Sequence, residues 1–150
     1  ATATKVITNW LPLATLADGD THTIQNGIVS DVRLGTSNGE YRDLAGHKTT
    51  GFIPVKYGGE VFISNMTLNG GHEYICYYGA DKLRVIASGN TGTTLEAACT
   101  ATDGGYKTPI NKSVFASLAN VTSDIAYIRI CGSGITENTV INIKQNGEWL

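Results

Sequence analysis

Cysteine and histidine are the residue types in this sequence with the widest range of chemistry. The 150 residues include three of each. One pair lies close in sequence, His72 and Cys76, and a Cys–His pair can activate a thiolate for nucleophilic catalysis. Cys76, however, falls within the apolar run 74–78, where burial raises a thiol pKa and suppresses its reactivity. We therefore predict free, mostly buried thiols, with a disulfide between two of them as the less favoured alternative.

Motifs for catalysis and metal binding are missing. Zinc sites use ligands paired closely in sequence, whereas Cys76, Cys99 and Cys131 are far apart. The histidines lie in polar, turn-like segments, which favours solvated loop positions. There is no G-x-S-x-G elbow, no H-E-x-x-H and no phosphate-binding loop. Acidic residues occur singly along turns, and glycoside hydrolysis needs two that face each other. The sequence predicts no catalytic residues, no metal ligands, no cofactor and no enzymatic activity.

Tyrosine and arginine side chains are the best candidates for binding. The face of an aromatic ring can stack on a sugar ring, and a guanidinium supplies a fork of hydrogen-bond donors. We expect a ligand site where exposed aromatic residues meet the polar loops 70–74 and 102–106. The alternative is that these tyrosines only fill half-buried positions of a sheet. The predicted ligand-binding residues are Tyr74, Tyr78, Tyr106 and Arg129.

The charge pattern excludes some partners. The formal net charge is -2, and the 11 Lys and Arg residues are scattered rather than gathered into a basic stripe. Nucleic-acid binding therefore has no electrostatic support. No run approaches the ~18 consecutive apolar residues of a membrane-spanning helix. We predict neither nucleic-acid binding nor membrane insertion.

Short strands must position the binding candidates, because the apolar residues repeat mainly with a period of two. Segments 52–56 and 60–66 predict two strands joined by a tight turn at Gly58 and Gly59, as in a hairpin. Segments 73–78 and 82–87 predict two more strands.

Two C-terminal strands show the clearest alternation. In segment 125–131, Ile128 and Ile130 share one face, with Tyr127 and Arg129 on the other. In segment 139–144, the isoleucines point inward and the polar residues outward. We expect one core that contains Val61, Ile63, Ile128, Ile130, Ile141 and Ile143.

The fold class follows from the number and spacing of strands. About eight or nine strands, with turn signals every 8–12 residues, are typical of a sandwich. Segments 88–94 and 102–108 are rich in Gly, Thr and Asp and predict loops, and 113–119 is the best helical candidate. We predict an all-β, antiparallel, jelly-roll-like β-sandwich that forms a single domain over 1–150, with an extended N-terminal arm over about 1–10 as an option.

Several of these segments resemble a known family. The stretch TGFIPVKYGGEV (residues 50–61) is similar to a strand pair that recurs in tail-fibre and baseplate proteins of tailed bacteriophages. Segments 125–132 and 139–143 resemble the closing strands of the same domain, and the opening residues 8–13 are similar as well. The resemblance spans about residues 8–144.

What the resemblance implies is a virion protein with a sandwich like that of carbohydrate-binding modules. Such a domain, assembled in the host cytoplasm, mounts on other virion proteins or engages surface polysaccharides of the bacterial host. The family carries no fixed catalytic set. Because fibre and decoration proteins are commonly cyclic oligomers, we expect a homo-oligomer, most simply a trimer. The alternatives are a free-standing carbohydrate-binding module and an architectural capsid decoration or spacer without a ligand.

Overall fold

The computed structural model describes residues 24–25, 27–68, 72–83, 92–110, 124–145 and 148–149. Within these residues the chain is almost entirely β-structure, with one four-residue helix. None of them forms a helix that is long and apolar enough to cross a membrane. The elements are β1 Ile24–Gln25, β2 Ile28–Leu34, β3 Tyr41–Thr50, β4 Ile53–Pro54, β5 Glu60–Ser64, β6 Tyr74–Tyr78, β7 Gly92–Thr94, α1 Leu95–Ala98, β8 Thr100–Thr102, β9 Gly105–Pro109, β10 Tyr127–Gly132, β11 Val140–Gln145 and β12 Glu148–Trp149.

The strands form two antiparallel sheets. The first has the order β1-β2-β3-β10-β6-β7, with β4 also paired to β10, and the second has the order β12-β11-β5-β9-β8. This arrangement confirms the predicted all-β antiparallel sandwich. The described residues hold more strands than the eight or nine expected, because several, such as β1 and β4, are only two residues long.

The main core contains apolar residues from both sheets. The six predicted core residues are all buried within one cluster, which confirms their assignment. Ile128 and Ile130 come from β10 of the first sheet, and Ile63 and Ile141 are direct partners in the second. Alternation along each strand placed these residues correctly because each strand turns one face to the core.

The predicted hairpin between 52–56 and 60–66 is wrong in its pairing. A tight turn is present, with the Gly59 amide donating to the Lys56 carbonyl over 3.0 Å. The two strands nevertheless belong to different sheets, since β4 pairs with β10 and β5 pairs with β11 and β9. A turn between sheets has the same glycine signal as a hairpin turn, so local sequence does not distinguish them.

Two segments predicted as loops contain strands. Residues 92–94 form β7, which pairs with β6, and most of 102–108 lies in β9, which pairs with both β5 and β8. β8 and β9 are joined by only two residues, Asp103 and Gly104. Asp-Gly is a strong hairpin signal, but the flanking strands are polar and lack the apolar alternation that marks a strand.

The end of the β2–β3 hairpin folds over the outer face of the first sheet. The pairing shifts register between Ser30 and Val32, where Asp31 has a positive φ of 58°. Beyond this bulge, the Leu34 amide donates to the Cys131 sulfur over 3.3 Å. We call residues 32–43 the flap. It buries a second apolar cluster, formed by Leu34, Cys76, Tyr78 and Cys131, with Tyr41, Phe52, Tyr74 and Tyr127 packed against it.

Some sequence predictions lie outside the described residues. These are the helical candidate 113–119, most of the strand 82–87, and the N-terminal arm over 1–10.

Candidate functional site

The four predicted ligand-binding residues do not converge on one site. Tyr78 and Arg129 lie beneath the flap, on the outer face of the first sheet. Tyr74 begins β6 on the same face and is half-buried. Tyr106 belongs to β9 of the second sheet and lines an open groove. Their binding role stays a prediction, but only Tyr74 and Tyr106 are positioned to contact a ligand at the surface.

Arg129, which was predicted to bind a ligand, is buried. Only 7% of the residue is exposed. Its guanidinium lies against the rings of Tyr41, Phe52 and Tyr78, with its carbon 4.6, 4.4 and 4.9 Å from their centroids. The flap covers the face of β10 opposite Ile128 and Ile130, and sequence patterns do not show a cover contributed by a distant hairpin.

Tyr78 is also buried, with 2% of the residue exposed. Its hydroxyl donates to the Gly39 carbonyl over 2.8 Å and accepts from Nε of Arg129 over 3.1 Å. Burial raises the pKa of this phenol well above its ordinary value. Both hydrogen bonds are made within the protein, so Tyr78 has a structural role.

The groove that contains Tyr106 lies at one end of the second sheet. It is formed by the residues that follow β5 and by the β8–β9 hairpin, and its volume is about 400 Å³. This volume is within the range of small-molecule sites. It is lined by Asn65, Met66, Thr67, Ala101, Thr102, Gly104, Gly105 and Tyr106.

Glycine is required in the floor of the groove. A Cβ on Gly105 would lie 2.1 Å from the Ile63 carbonyl oxygen, a backbone atom that cannot move aside without disturbing the strand pair. Gly104 has a φ of +81°, which an L side chain rarely adopts. The sequence Gly104-Gly105 therefore allows the hairpin to turn and β9 to lie closely against β5 beside the ring of Tyr106.

Asn65 forms the opposite wall and is held in place by its neighbours. Its backbone has a φ of 56°, a left-handed conformation that asparagine tolerates. Its side-chain amide donates to the Asn138 carbonyl over 3.1 Å, and its own carbonyl accepts from the Thr139 hydroxyl over 3.1 Å. These bonds fix the wall while Asn65 itself remains exposed.

The lining of the groove is polar but uncharged. Hydroxyls of Thr67 and Thr102 and the amide of Asn65 supply donors and acceptors, while the ring of Tyr106 supplies apolar surface. Met66 belongs to the main core and is only 7% exposed. The lining contains no Asp, Glu, His, Lys, Arg or Cys, the residue types that act as acids, bases or strong metal ligands. The groove can hold a neutral polar molecule with one apolar face, and its own lining supplies no acid or base to transform it.

The three thiols do not form a reactive site. All three cysteines are free, with Cys76 and Cys131 buried, as the sequence predicted. Burial raises the pKa of Cys76 to about 12, that of Cys99 to about 12 and that of Cys131 to about 11. The thiols are therefore protonated at neutral pH, and His72 contacts Tyr74 through its Nδ1 atom.

Comparison with known proteins identifies no relative. No family model, no curated protein and no solved structure matches this chain. What the molecule shows is its class, an all-β antiparallel sandwich with a flap over one sheet and an uncharged groove at one end of the other.

Proposed function

We propose that this chain is a non-enzymatic surface domain of a bacteriophage virion, that it binds glycans of the host cell, and that the groove beside Tyr106 is the binding site. The groove is the single observation that supports binding, because it combines a half-buried aromatic ring with hydroxyl and amide groups in an open depression. The virion setting rests on the resemblance of segments 50–61 and 125–132 to tail-fibre and baseplate proteins.

The chemistry of the groove suits a neutral sugar. A pyranose ring has an apolar face that stacks on an aromatic side chain, and hydroxyls around its rim that pair with amides and hydroxyls. The Tyr106 ring would contact the apolar face, and Asn65, Thr67 and Thr102 would contact the rim. The bare backbone at Gly104 and Gly105 lets a ring approach closely.

The expected affinity of one groove is low. One stacked ring and a few hydrogen bonds yield about 4–6 kcal/mol, which corresponds to dissociation constants from millimolar to tens of micromolar. Adhesion to a cell then requires several copies on one particle, so that later binding events occur at high effective concentration. A homotrimer mounted on other virion proteins would supply this multivalency.

An architectural role is the second candidate function. The burial of Tyr78 and Arg129 favours it, because two of the four residues best suited to bind a ligand instead fasten the flap. In this case the domain would decorate or space the particle, and the groove would be empty. A free-standing carbohydrate-binding module would use the same groove in a different setting.

The test is a binding assay in multivalent format. The protein would be displayed as an oligomer and applied to a glycan array, to purified bacterial surface polysaccharides and to intact cells. Binding to a defined set of glycans supports the proposed function. Failure to bind any of the three surfaces would refute it and leave the architectural role. Among binding outcomes, the neighbouring genes distinguish the settings, because tail or capsid genes indicate a virion and hydrolase genes indicate a free-standing module.

A further inference from the structure

The fold brings together two histidines that are far apart in the sequence. His47 lies in β3, and His72 lies two residues before β6. These strands flank β10, which ends at Gly132, so their side chains meet beyond its end. The ring centroids are 5.9 Å apart, with an edge-to-face arrangement at 65°. His72 is exposed and His47 is half-buried, so the pair is accessible from solvent.

Each ring uses the same nitrogen in a hydrogen bond. Nδ1 of His47 lies 3.5 Å from the Ala45 carbonyl oxygen, and a carbonyl can only accept. In the tautomer in which this nitrogen donates to the carbonyl, Nε2 keeps its lone pair. Nδ1 of His72 lies 3.0 Å from the Tyr74 hydroxyl, which leaves Nε2 of His72 outside that hydrogen bond. This is the pattern seen around metal-binding histidines, in which the distal nitrogen is oriented by a partner outside the coordination sphere.

We propose that His47 and His72 form a two-histidine site for a divalent transition-metal ion of the Zn²⁺, Ni²⁺ and Cu²⁺ group. A Zn–N bond is about 2.0–2.1 Å long, so two imidazoles that share an ion have ring centroids at most about 6.4 Å apart. The observed 5.9 Å satisfies this limit.

The surroundings define what kind of site this is. No group of three or more His, Cys, Asp and Glu side chains capable of holding a metal occurs among the described residues, so water would complete the coordination. Tyr74 acts as a positioning residue, because its hydroxyl fixes the His72 ring and the Arg33 guanidinium lies 5.9 Å above its own ring. A metal ion needs the Nε2 lone pair of both rings, so its binding selects the tautomers in which each Nδ1 carries the proton and donates to the Ala45 carbonyl or the Tyr74 hydroxyl.

The experiment titrates the metal-free, untagged protein with Zn²⁺ and follows the imidazole nitrogens by long-range ¹H–¹⁵N NMR. We expect one bound ion, with the Nε2 resonances of His47 and His72 shifting together. His47→Gln and His72→Gln should each weaken binding by at least about tenfold, since a single imidazole remains. Tyr74→Phe should weaken Zn²⁺ binding less. It also removes the hydrogen bond to Nδ1 of His72, so the His72 nitrogen resonances should shift even in the absence of metal.

His22→Gln provides the matched control, because it removes the third histidine of the chain and should leave the affinity for Zn²⁺ unchanged. The proposal is overturned if wild type binds no Zn²⁺, if either histidine variant binds as wild type does, or if inorganic phosphate instead of Zn²⁺ shifts the same resonances. The NMR measurement on wild type decides the matter even where a variant fails to fold. The outcome is independent of glycan binding at the Tyr106 groove.

Discussion

Arg129 and Tyr78, on two paired strands of the first sheet, donate hydrogen bonds to the same atom, the carbonyl oxygen of Gly39 at the tip of the flap. Nε of Arg129 also donates to the Tyr78 hydroxyl, which closes a three-membered network. The buried cation is stabilised by a carbonyl, a phenol and three aromatic faces. The flap is therefore fastened to the sandwich by polar bonds as well as by apolar contact.

Removal of the Tyr78 hydroxyl should weaken this attachment. Tyr78→Phe leaves Nε of Arg129 without its acceptor in a buried site, and we expect the free energy of unfolding to fall by about 1–3 kcal/mol. Urea denaturation measures the change. The matched control is Tyr57→Phe, at a position that is 39% exposed, where the effect should stay within about 0.5 kcal/mol. Equal effects of the two substitutions would contradict the network.

A charge in the core between the sheets should not be tolerated. Ile130 is fully buried in that core, and Ile130→Asp places there a carboxylate without a partner, at a cost of several kcal/mol against a total stability of about 5–15 kcal/mol. We expect no soluble, cooperatively folded protein. Ile130→Val is the control and should cost only about 0.5–1.5 kcal/mol. A soluble Ile130→Asp protein with a cooperative thermal transition would contradict the core assignment.

The sequence predicted the features that depend on a single strand, namely its position in the chain and which of its residues face the core. The alternation of Ile128 with Arg129 identified β10 and its inward residues, because burial against the core imposes a period of two. The burial of Arg129 was not predicted, because the flap that covers it comes from strands some 90 residues earlier in the chain. The predicted pairing of 52–56 with 60–66 was wrong for a related reason. Which sheet a strand joins depends on contacts with distant strands, here β10 and β11, and these are not visible in the local sequence.

The buried thiols should make the folded state sensitive to high pH. The pKa of Cys76 is raised from 9.0 to about 12, so the folded protein keeps a proton that the unfolded chain loses above pH 9. Stability from this thiol is complete below pH 9 and is lost as the pH rises toward 12. We expect the thermal midpoint to fall less steeply above pH 9 in Cys76→Ala than in wild type. Ile75→Val, a core variant without a thiol, should keep the wild-type slope; a similar flattening there would contradict the assignment.

The floor of the groove should tolerate no side chain at Gly105. Gly105→Ala places a Cβ 2.1 Å from the Ile63 carbonyl oxygen, so β9 must move away from β5. Gly104→Ala is the comparison, because its Cβ meets nothing within 4 Å and only the positive φ is strained, at about 1 kcal/mol. We expect Gly105→Ala to lower the urea midpoint clearly more than Gly104→Ala. The reverse order would contradict the close approach of the two strands.

The candidate site was partly visible in the sequence. Tyr106 and the polar segment around it were identified as binding candidates, and the groove does lie there. Asn65 and Met66 were missed, because they follow a strand of the same sheet and carry no motif of their own. The contact between His47 and His72 was missed as well, since polar, turn-like surroundings do not reveal which side chains meet across a sheet.

The central claim is that the groove beside Tyr106 binds a glycan, and one comparison of variants tests it most directly. Wild type, Tyr106→Ala and Tyr57→Ala would be displayed as oligomers at equal density on the same bacterial surface polysaccharide, and their binding would be measured by biolayer interferometry. We expect wild type and Tyr57→Ala to bind alike, and Tyr106→Ala to lose about tenfold per site, since the variant lacks both a stacking contribution of about 0.5–1.5 kcal/mol and the apolar area of the ring. Binding by Tyr106→Ala at the wild-type level would contradict the claim.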